Sequence, residues 1–120
     1  MPGRRLDAAF LWDMLEASRK IERFTNGIPL DEYMMDEQLR YAVERLVEIV
    51  GEAARNVSPE FKSAHPEIPW QGIISQRNVI AHDYGGIRHD LLWRIATVHV
   101  PNLIKRIGPL LPPLPPEIGG

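Results

Sequence analysis

Residues 35–53 read MDEQLRYAVERLVEIVGEA, and their apolar side chains recur at the spacing of one helical face. This apolar stripe consists of Met35, Leu39, Ala42, Leu46, Ile49 and Ala53. Steps of three and four residues place such side chains on one side of an α-helix. A lead-in at Asp31 and Glu32 and a candidate N-cap at Asp36 precede the stripe. The stretch therefore predicts the longest helix of the chain, with one face buried against other elements.

An earlier stretch has the same periodicity and predicts a partner helix from about Arg4 to Phe24. Its apolar stripe is Phe10, Met14, Ala17, Ile21 and Phe24. Asn26 and Gly27 can adopt the left-handed conformation that often ends a helix, and Pro29 prevents continuation. Two long amphipathic helices joined by a short turn therefore open the fold.

Prolines mark the next two helices. Ser58 followed by Pro59 is typical of an N-cap with proline in the first turn, and predicts a short helix that ends at residues 65–66, His-Pro. Pro69 and Trp70 begin another helix, which carries residues 76–84. Each of these starts is indicated by local backbone chemistry rather than by long periodicity.

The last helix is predicted to start with Asp90 as its cap and to run to about Ile107, with a kink at Pro101. The sequence shows no strand-like alternation of useful length and no internal repeat. We therefore expect an all-α bundle of four main helices plus a short helix, with a kinked last helix. Residues 1–108 form this helical domain, and residues 109–120, PLLPPLPPEIGG, form a proline-rich tail that is extended rather than helical.

Composition limits the classes of function. The 120 residues, 44% hydrophobic and 25% charged, describe one ordinary soluble domain. Neither a membrane span nor a signal peptide is apparent, so we expect a cytoplasmic protein without membrane contact. The absence of cysteine excludes disulfides, thiolate metal sites and cysteine nucleophiles. A net charge of -2 argues against a general nucleic-acid coat protein, so any RNA contact must be local.

Residues 76–84 read QRNVIAHDY and contain four chemically able side chains: Arg77, Asn78, His82 and Tyr84. On an ideal helix Arg77 and His82 are about 140° apart, so they converge only at a helix end or across a dimer axis. The residues alone leave two readings open. One is an ordinary polar helix edge, with Arg77 exposed and His82 near the C-terminal dipole; the other is a composite catalytic site.

RNA cleavage without a metal gives the catalytic reading its chemistry. One group must take the proton of the 2'-hydroxyl, another must protonate the leaving 5'-oxygen, and a cation must stabilise the phosphorane. Histidine titrates near neutrality, and arginine offers a planar charged fork to phosphate oxygens. A homodimer would bring two His82 side chains to one cleft. His82, Asp83 and His89 match no established metal-ligand spacing, so we expect no metal.

The sequence from Arg77 to Tyr84, RNVIAHDY, matches the HEPN signature of Arg, a polar residue, three others, His, any residue and Tyr. The block from 49 to 87, IVGEAARNVSPEFKSAHPEIPWQGIISQRNVIAHDYGGI, resembles the central block of the HepT-like toxins within that family. The resemblance extends over roughly 100 residues in all, when the first helix and the region from Leu91 to Leu103 are included. The Arg-to-His spacing alone is weakly specific, whereas the extended block is strongly so.

This resemblance implies an α-helical, dimeric, metal-independent endoribonuclease that is the toxin of a toxin-antitoxin pair. Arg77 and His82 would be catalytic, and Asn78 would position the RNA phosphate. The antitoxin would be an MntA-like nucleotidyltransferase that transfers AMP from ATP to Tyr84; no cofactor is implied for the toxin itself. The alternative is a non-catalytic HEPN interaction protein that docks a nucleotidyltransferase.

Overall fold

The computed structural model describes residues 2–76 and 88–111, and every regular element in these two ranges is helical. This confirms the predicted all-α fold. The elements are α1 Pro2–Thr25, α2 Leu30–Met35, α3 Glu37–Asn56, α4 Pro59–Ala64, α5 Trp70–Ser75, α6 His89–Arg94, a π-helical turn Ile95–His99, α7 Val100–Ile107 and a 3-10 turn Gly108–Leu110.

The two longest helices, α1 and α3, pack against each other and form the centre of the fold. Their facing side chains are almost completely buried: Leu11, Met14, Leu15, Ala17 and Ile21 from α1, and Val43, Val47, Val50 and Ala54 from α3. Burial of these apolar surfaces is the main favourable term in folding. Helix α5 then packs on α3, and α7 packs on α1, so the remaining helices depend on this pair.

The helical backbone is interrupted between α2 and α3, and this interruption corrects two predictions. Asp36 is extended, with φ -103° and ψ 94°, and its carboxylate accepts the backbone N–H of Leu39 at 3.0 Å. The N-cap was therefore predicted correctly, but the lead-in became a separate helix whose buried residue is Tyr33. Met35 is 86% exposed instead of buried. For the same reason α3, with 20 residues, is shorter than α1, with 24, and is not the longest helix.

Two local signals in the sequence act as predicted. Gly27, with φ of 75°, ends the turn after α1 in the left-handed region that glycine tolerates. The Ser58 hydroxyl accepts the N–H of Phe61 at 3.1 Å and caps α4. The same serine donates its hydroxyl (2.7 Å) and its backbone N–H (2.8 Å) to the buried carboxylate of Asp7. This contact fastens the start of α4 to α1.

The last helix is interrupted at Pro101, in agreement with the predicted kink. Proline lacks the N–H that would bond to the carbonyl of Thr97, and its ring crowds that carbonyl. The turn just before it is π-helical, with the N–H of Val100 bonded to the carbonyl of Ile95. The side-chain amide of Asn102 donates to the carbonyl of Val98 at 3.2 Å. An extra residue in the turn therefore absorbs the mismatch that proline creates.

The predicted cap at Asp90 is wrong, and the first residues of the predicted tail differ from the prediction. The helix α6 begins at His89, and Asp90 lies in its first turn without capping it. The Asp90 carboxylate instead accepts two N–H groups of the Arg88 guanidinium, at 3.0 and 3.2 Å. At the other end, Pro109 belongs to the 3-10 turn rather than to an extended tail. Leu110 and Leu111 pack against the core, and residues 112–120 lie outside the described part of the chain.

No helix within the described residues is long and apolar enough to cross a membrane.

A polar cluster lies where α2, α3 and α6 meet, and it consists of Tyr33, Arg40, Glu44 and His89. The imidazole Nδ1 of His89 is 3.7 Å from Oε2 of Glu44. Within the described residues, the Tyr33 hydroxyl, Arg40 Nε, Glu44 Oε2 and His89 Nδ1 are buried without hydrogen-bond partners. The pKa of Glu44 is raised mainly by burial and also by Glu48, and His89 and Arg40 oppose this rise. The cluster joins three helices: the Arg40 guanidinium of α3 donates to the carbonyl of Met34 in α2, and Glu44 of α3 contacts His89 of α6.

Burial, assisted by the Glu44 carboxylate and opposed by Arg40, raises the pKa of Tyr33 to about 12. The folded state therefore favours the neutral phenol. The stability that comes from keeping Tyr33 neutral is fully present below about pH 10, the ordinary tyrosine pKa. It is lost as the pH rises towards 12, because the unfolded state ionises first. Between pH 10 and 12 the unfolding free energy of wild type should fall by about 1 kcal/mol per pH unit because of Tyr33. We predict that Tyr33→Phe does not show this fall.

Urea unfolding at neutral pH and at several alkaline pH values measures this difference. Near pH 7 the Phe variant should be as stable as wild type or more stable, because it loses a buried hydroxyl without a partner. Tyr41→Phe is the matched control, since Tyr41 is 61% exposed. Parallel alkaline profiles for wild type and Tyr33→Phe would contradict the prediction.

Candidate functional site

The four motif residues Arg77, Asn78, His82 and Tyr84 lie within residues 77–87, outside the part of the chain that the structure describes. Their roles stay predictions. The structure does describe the residues that lead into this segment from α5 and out of it into α6. Those flanking residues define how the motif is attached to the bundle.

On the N-terminal side, α5 is anchored by Trp70 and Ile73, which are 7% and 3% exposed. The indole N–H of Trp70 donates to the carbonyl of His65 at 3.0 Å, and its ring meets that of Phe61 edge to face. The N–H of Gln76 bonds to the carbonyl of Gly72 at 3.0 Å. The hydrogen bonds of α5, a helix anchored by buried side chains, therefore extend to Gln76, the residue directly before Arg77.

On the C-terminal side, α6 is held by Leu92, which is completely buried. The indole N–H of Trp93 donates to the carbonyl of Ile28 at 3.3 Å, in the turn between α1 and α2. Arg88 and Asp90 form an exposed pair in which the contact raises the pKa of Arg88 and lowers the pKa of Asp90. Both flanks of the motif are thus fixed to the α1 and α3 pair, α5 directly and α6 partly through the α1–α2 turn.

His89 is the residue that sequence reasoning considered only as a metal ligand. The structure pairs it with Glu44, and no group of three or more His, Asp or Glu side chains in the described ranges could hold a metal ion. Neither Glu44 nor Tyr33 was singled out from the sequence. The signal was weak because these residues stand in separate helices and meet only in the folded bundle.

A model of the ribonuclease HepT-like family matches residues 14–109 of this chain. The match includes the whole of α5 and α6 and residues 77–87 between them. It therefore extends over the entire described bundle apart from the first half of α1 and the last two described residues.

Several named proteins are similar to this chain. "Putative RNase MJ1380" of Methanocaldococcus jannaschii is 38% identical over 99 residues, which cover 82% of this chain and 91% of that protein. "Putative RNase MJ0127" of the same organism is 39% identical over 99 residues, 82% of each chain. "Probable ribonuclease HepT" of Thermococcus cleftensis is 36% identical over 100 residues, 83% of this chain and 91% of that protein. No solved structure gives a significant match. The chain belongs to the ribonuclease HepT-like family, a family of HEPN-type ribonucleases.

Proposed function

We propose that this protein is a metal-independent endoribonuclease and the toxin of a type VII toxin-antitoxin pair. The observation that carries the proposal is the family match over residues 14–109, which includes the Arg77 to His82 motif. The relatives' names, RNase and ribonuclease, support the same activity. The anchoring of α5 and α6 on the bundle core also supports it, since a catalytic segment needs fixed ends.

The proposed reaction is an internal transesterification of RNA. One His82 takes the proton of a 2'-hydroxyl, whose oxygen then attacks the adjacent phosphorus. The bond from phosphorus to the 5'-oxygen breaks, and a second His82 supplies the proton to that leaving oxygen. Arg77 stabilises the added negative charge, and Asn78 orients the phosphate. The products are a 2',3'-cyclic phosphate and a 5'-hydroxyl end.

Two copies of His82 require two copies of the chain, so we propose a homodimer with the motifs facing a shared cleft. The described surface offers apolar residues for such an interface. Met35 is 86% exposed and Tyr41 is 61% exposed, and Leu30, Met34 and Leu91 are also partly exposed. Helices α2 and α6, which carry four of these five residues, contact each other. Exposed apolar groups of this kind are typical of protein interfaces.

The proposed inhibitor is an MntA-like nucleotidyltransferase antitoxin. The Tyr84 phenol oxygen attacks the α-phosphorus of ATP, pyrophosphate leaves, and the phenol proton passes to the antitoxin or to water. The product carries a phosphodiester charge and an adenosine next to Arg77 and His82. It would compete for the arginine cation and obstruct RNA.

We predict that the purified protein cleaves a labelled RNA in excess EDTA, and that Arg77→Ala and His82→Ala each lower the rate by about 100-fold or more. Gel analysis of a time course measures the rates, and circular dichroism checks that each variant folds. Arg88→Ala is the matched arginine control, because Arg88 is exposed and paired with Asp90. Loss of cleavage in EDTA that magnesium restores would contradict the mechanism, and no cleavage by any form would favour the docking protein.

The second prediction concerns Tyr84. Incubation with the cognate nucleotidyltransferase, ATP and magnesium should add mass in AMP units to wild type but not to Tyr84→Phe, because only the phenol can be the acceptor. Intact-mass spectrometry measures the addition, and Tyr41→Phe is the control for loss of an exposed tyrosine. Equal labelling of Tyr84→Phe would defeat the assignment.

A further inference from the structure

A groove of about 520 Å³ lies between α5 and α7, beside the residue that precedes the motif. Its floor is apolar and belongs to the core: Val47 and Val50 of α3 and Ile21 of α1. One wall is α5, from Pro69 to Gln76, and the other is the π-turn and α7, from Ile95 to Arg106. The volume is that of a small-molecule site.

The groove exists because α5 and α7 pack on different partners. Helix α5 packs on α3, whereas α7 packs on α1. Gly72 keeps the α5 wall flat. A Cβ at this position would meet only the Cβ of Pro69, at an ordinary 3.9 Å, so the packing does not require glycine. Glycine also lowers helix stability relative to alanine. Its clearest effect here is to leave the groove open.

The rim carries polar groups of a particular kind. Gln76 and Asn102 supply amides, His99 supplies a flat imidazole ring, Arg106 supplies a guanidinium, and Glu67 supplies a carboxylate. The Arg106 guanidinium also donates to the carbonyl of Glu67 at 2.8 Å, which ties α7 to the segment before α5. The groove therefore combines an aliphatic interior with donors and acceptors around its edge.

We propose that this groove binds a nucleobase of the RNA substrate, next to the cleaved phosphate; this rests on the proposed ribonuclease function. A base has apolar faces and a polar edge, which match an aliphatic slot rimmed by amides. The imidazole of His99 can stack on a base, and Arg106 carries the charge that a neighbouring phosphate requires. Gln76 adjoins Arg77 in the chain, so the groove begins one residue before the proposed catalytic arginine.

Photo-cross-linking tests the base site without relying on turnover. The full chain with His82→Ala binds a short RNA containing 4-thiouridine, and mass spectrometry locates the cross-link after irradiation. We expect cross-links within residues 70–76 or 99–106. Gly72→Leu, which fills the groove, should lower their yield by about tenfold, the effect of losing one stacked base. Gln71→Leu is the matched control, since Gln71 is exposed on the same helix and does not line the groove.

If Gly72→Leu does not fold, Asn102→Leu narrows the groove from an exposed position on the opposite wall without adding an aromatic ring. Cross-links elsewhere, or a yield that neither filling variant changes, would overturn the proposal. Competition by free AMP or UMP at concentrations equal to the RNA would assign the groove to a free nucleotide and also overturn it. RNA cleavage by wild type is measured separately: cross-linking in the groove without cleavage would contradict only the proposed catalysis.

Discussion

The packing of α1 against α3 is the constraint on which the rest of the molecule depends. These two helices contribute most of the completely buried side chains, and the other helices attach to one or the other. Helix α5 packs on α3 and buries Trp70 and Ile73, and α7 packs on α1. A change in the packing between α1 and α3 would therefore move both α5 and α6, the helices on either side of the motif. The buried contact from Asp7 to Ser58 adds a second fastening, between the start of α1 and α4.

The helices of the bundle provide mechanical support, whereas the proposed chemistry belongs to residues 77–87. The core holds the two helix ends that flank residues 77–87, and the polar cluster of Tyr33, Arg40, Glu44 and His89 sits at the start of α6. The same attachment of α5 and α7 to different partners leaves the groove between them. In the proposed reaction, residues 77–87 would hold the cleaved phosphate of the RNA and the groove would hold a neighbouring base.

Much of the fold could be predicted because it follows from local backbone chemistry. Gly27, Ser58 and Pro101 act as their residue types dictate, since a left-handed turn, a cap and a missing N–H are each determined within a few residues. The error at Met35 has the opposite origin. Helical periodicity runs through residues 35–53 without a visible break, but the Asp36 cap starts a new helix and turns Met35 outward. Asp90 failed as a cap because Arg88 takes its carboxylate.

The long-range features could not be predicted in the same way. Tyr33, Glu44 and His89 stand far apart in sequence, and the groove depends on which helix packs on which partner. The family was identified from the block of residues 49–87, and the family match agrees with it. The roles of Arg77, Asn78, His82 and Tyr84 stay predictions.

The chemistry of the ends produced by cleavage tests the central claim most directly. RNA incubated with the purified protein in excess EDTA is examined for its end groups, by mass spectrometry and by 5'-phosphorylation with a kinase. Attack by the 2'-hydroxyl predicts 2',3'-cyclic phosphates and free 5'-hydroxyl ends that the kinase labels at once. Fragments with 3'-hydroxyl and 5'-phosphate ends would contradict the account, because they arise from attack by water and not from the base and acid chemistry assigned to two His82 side chains.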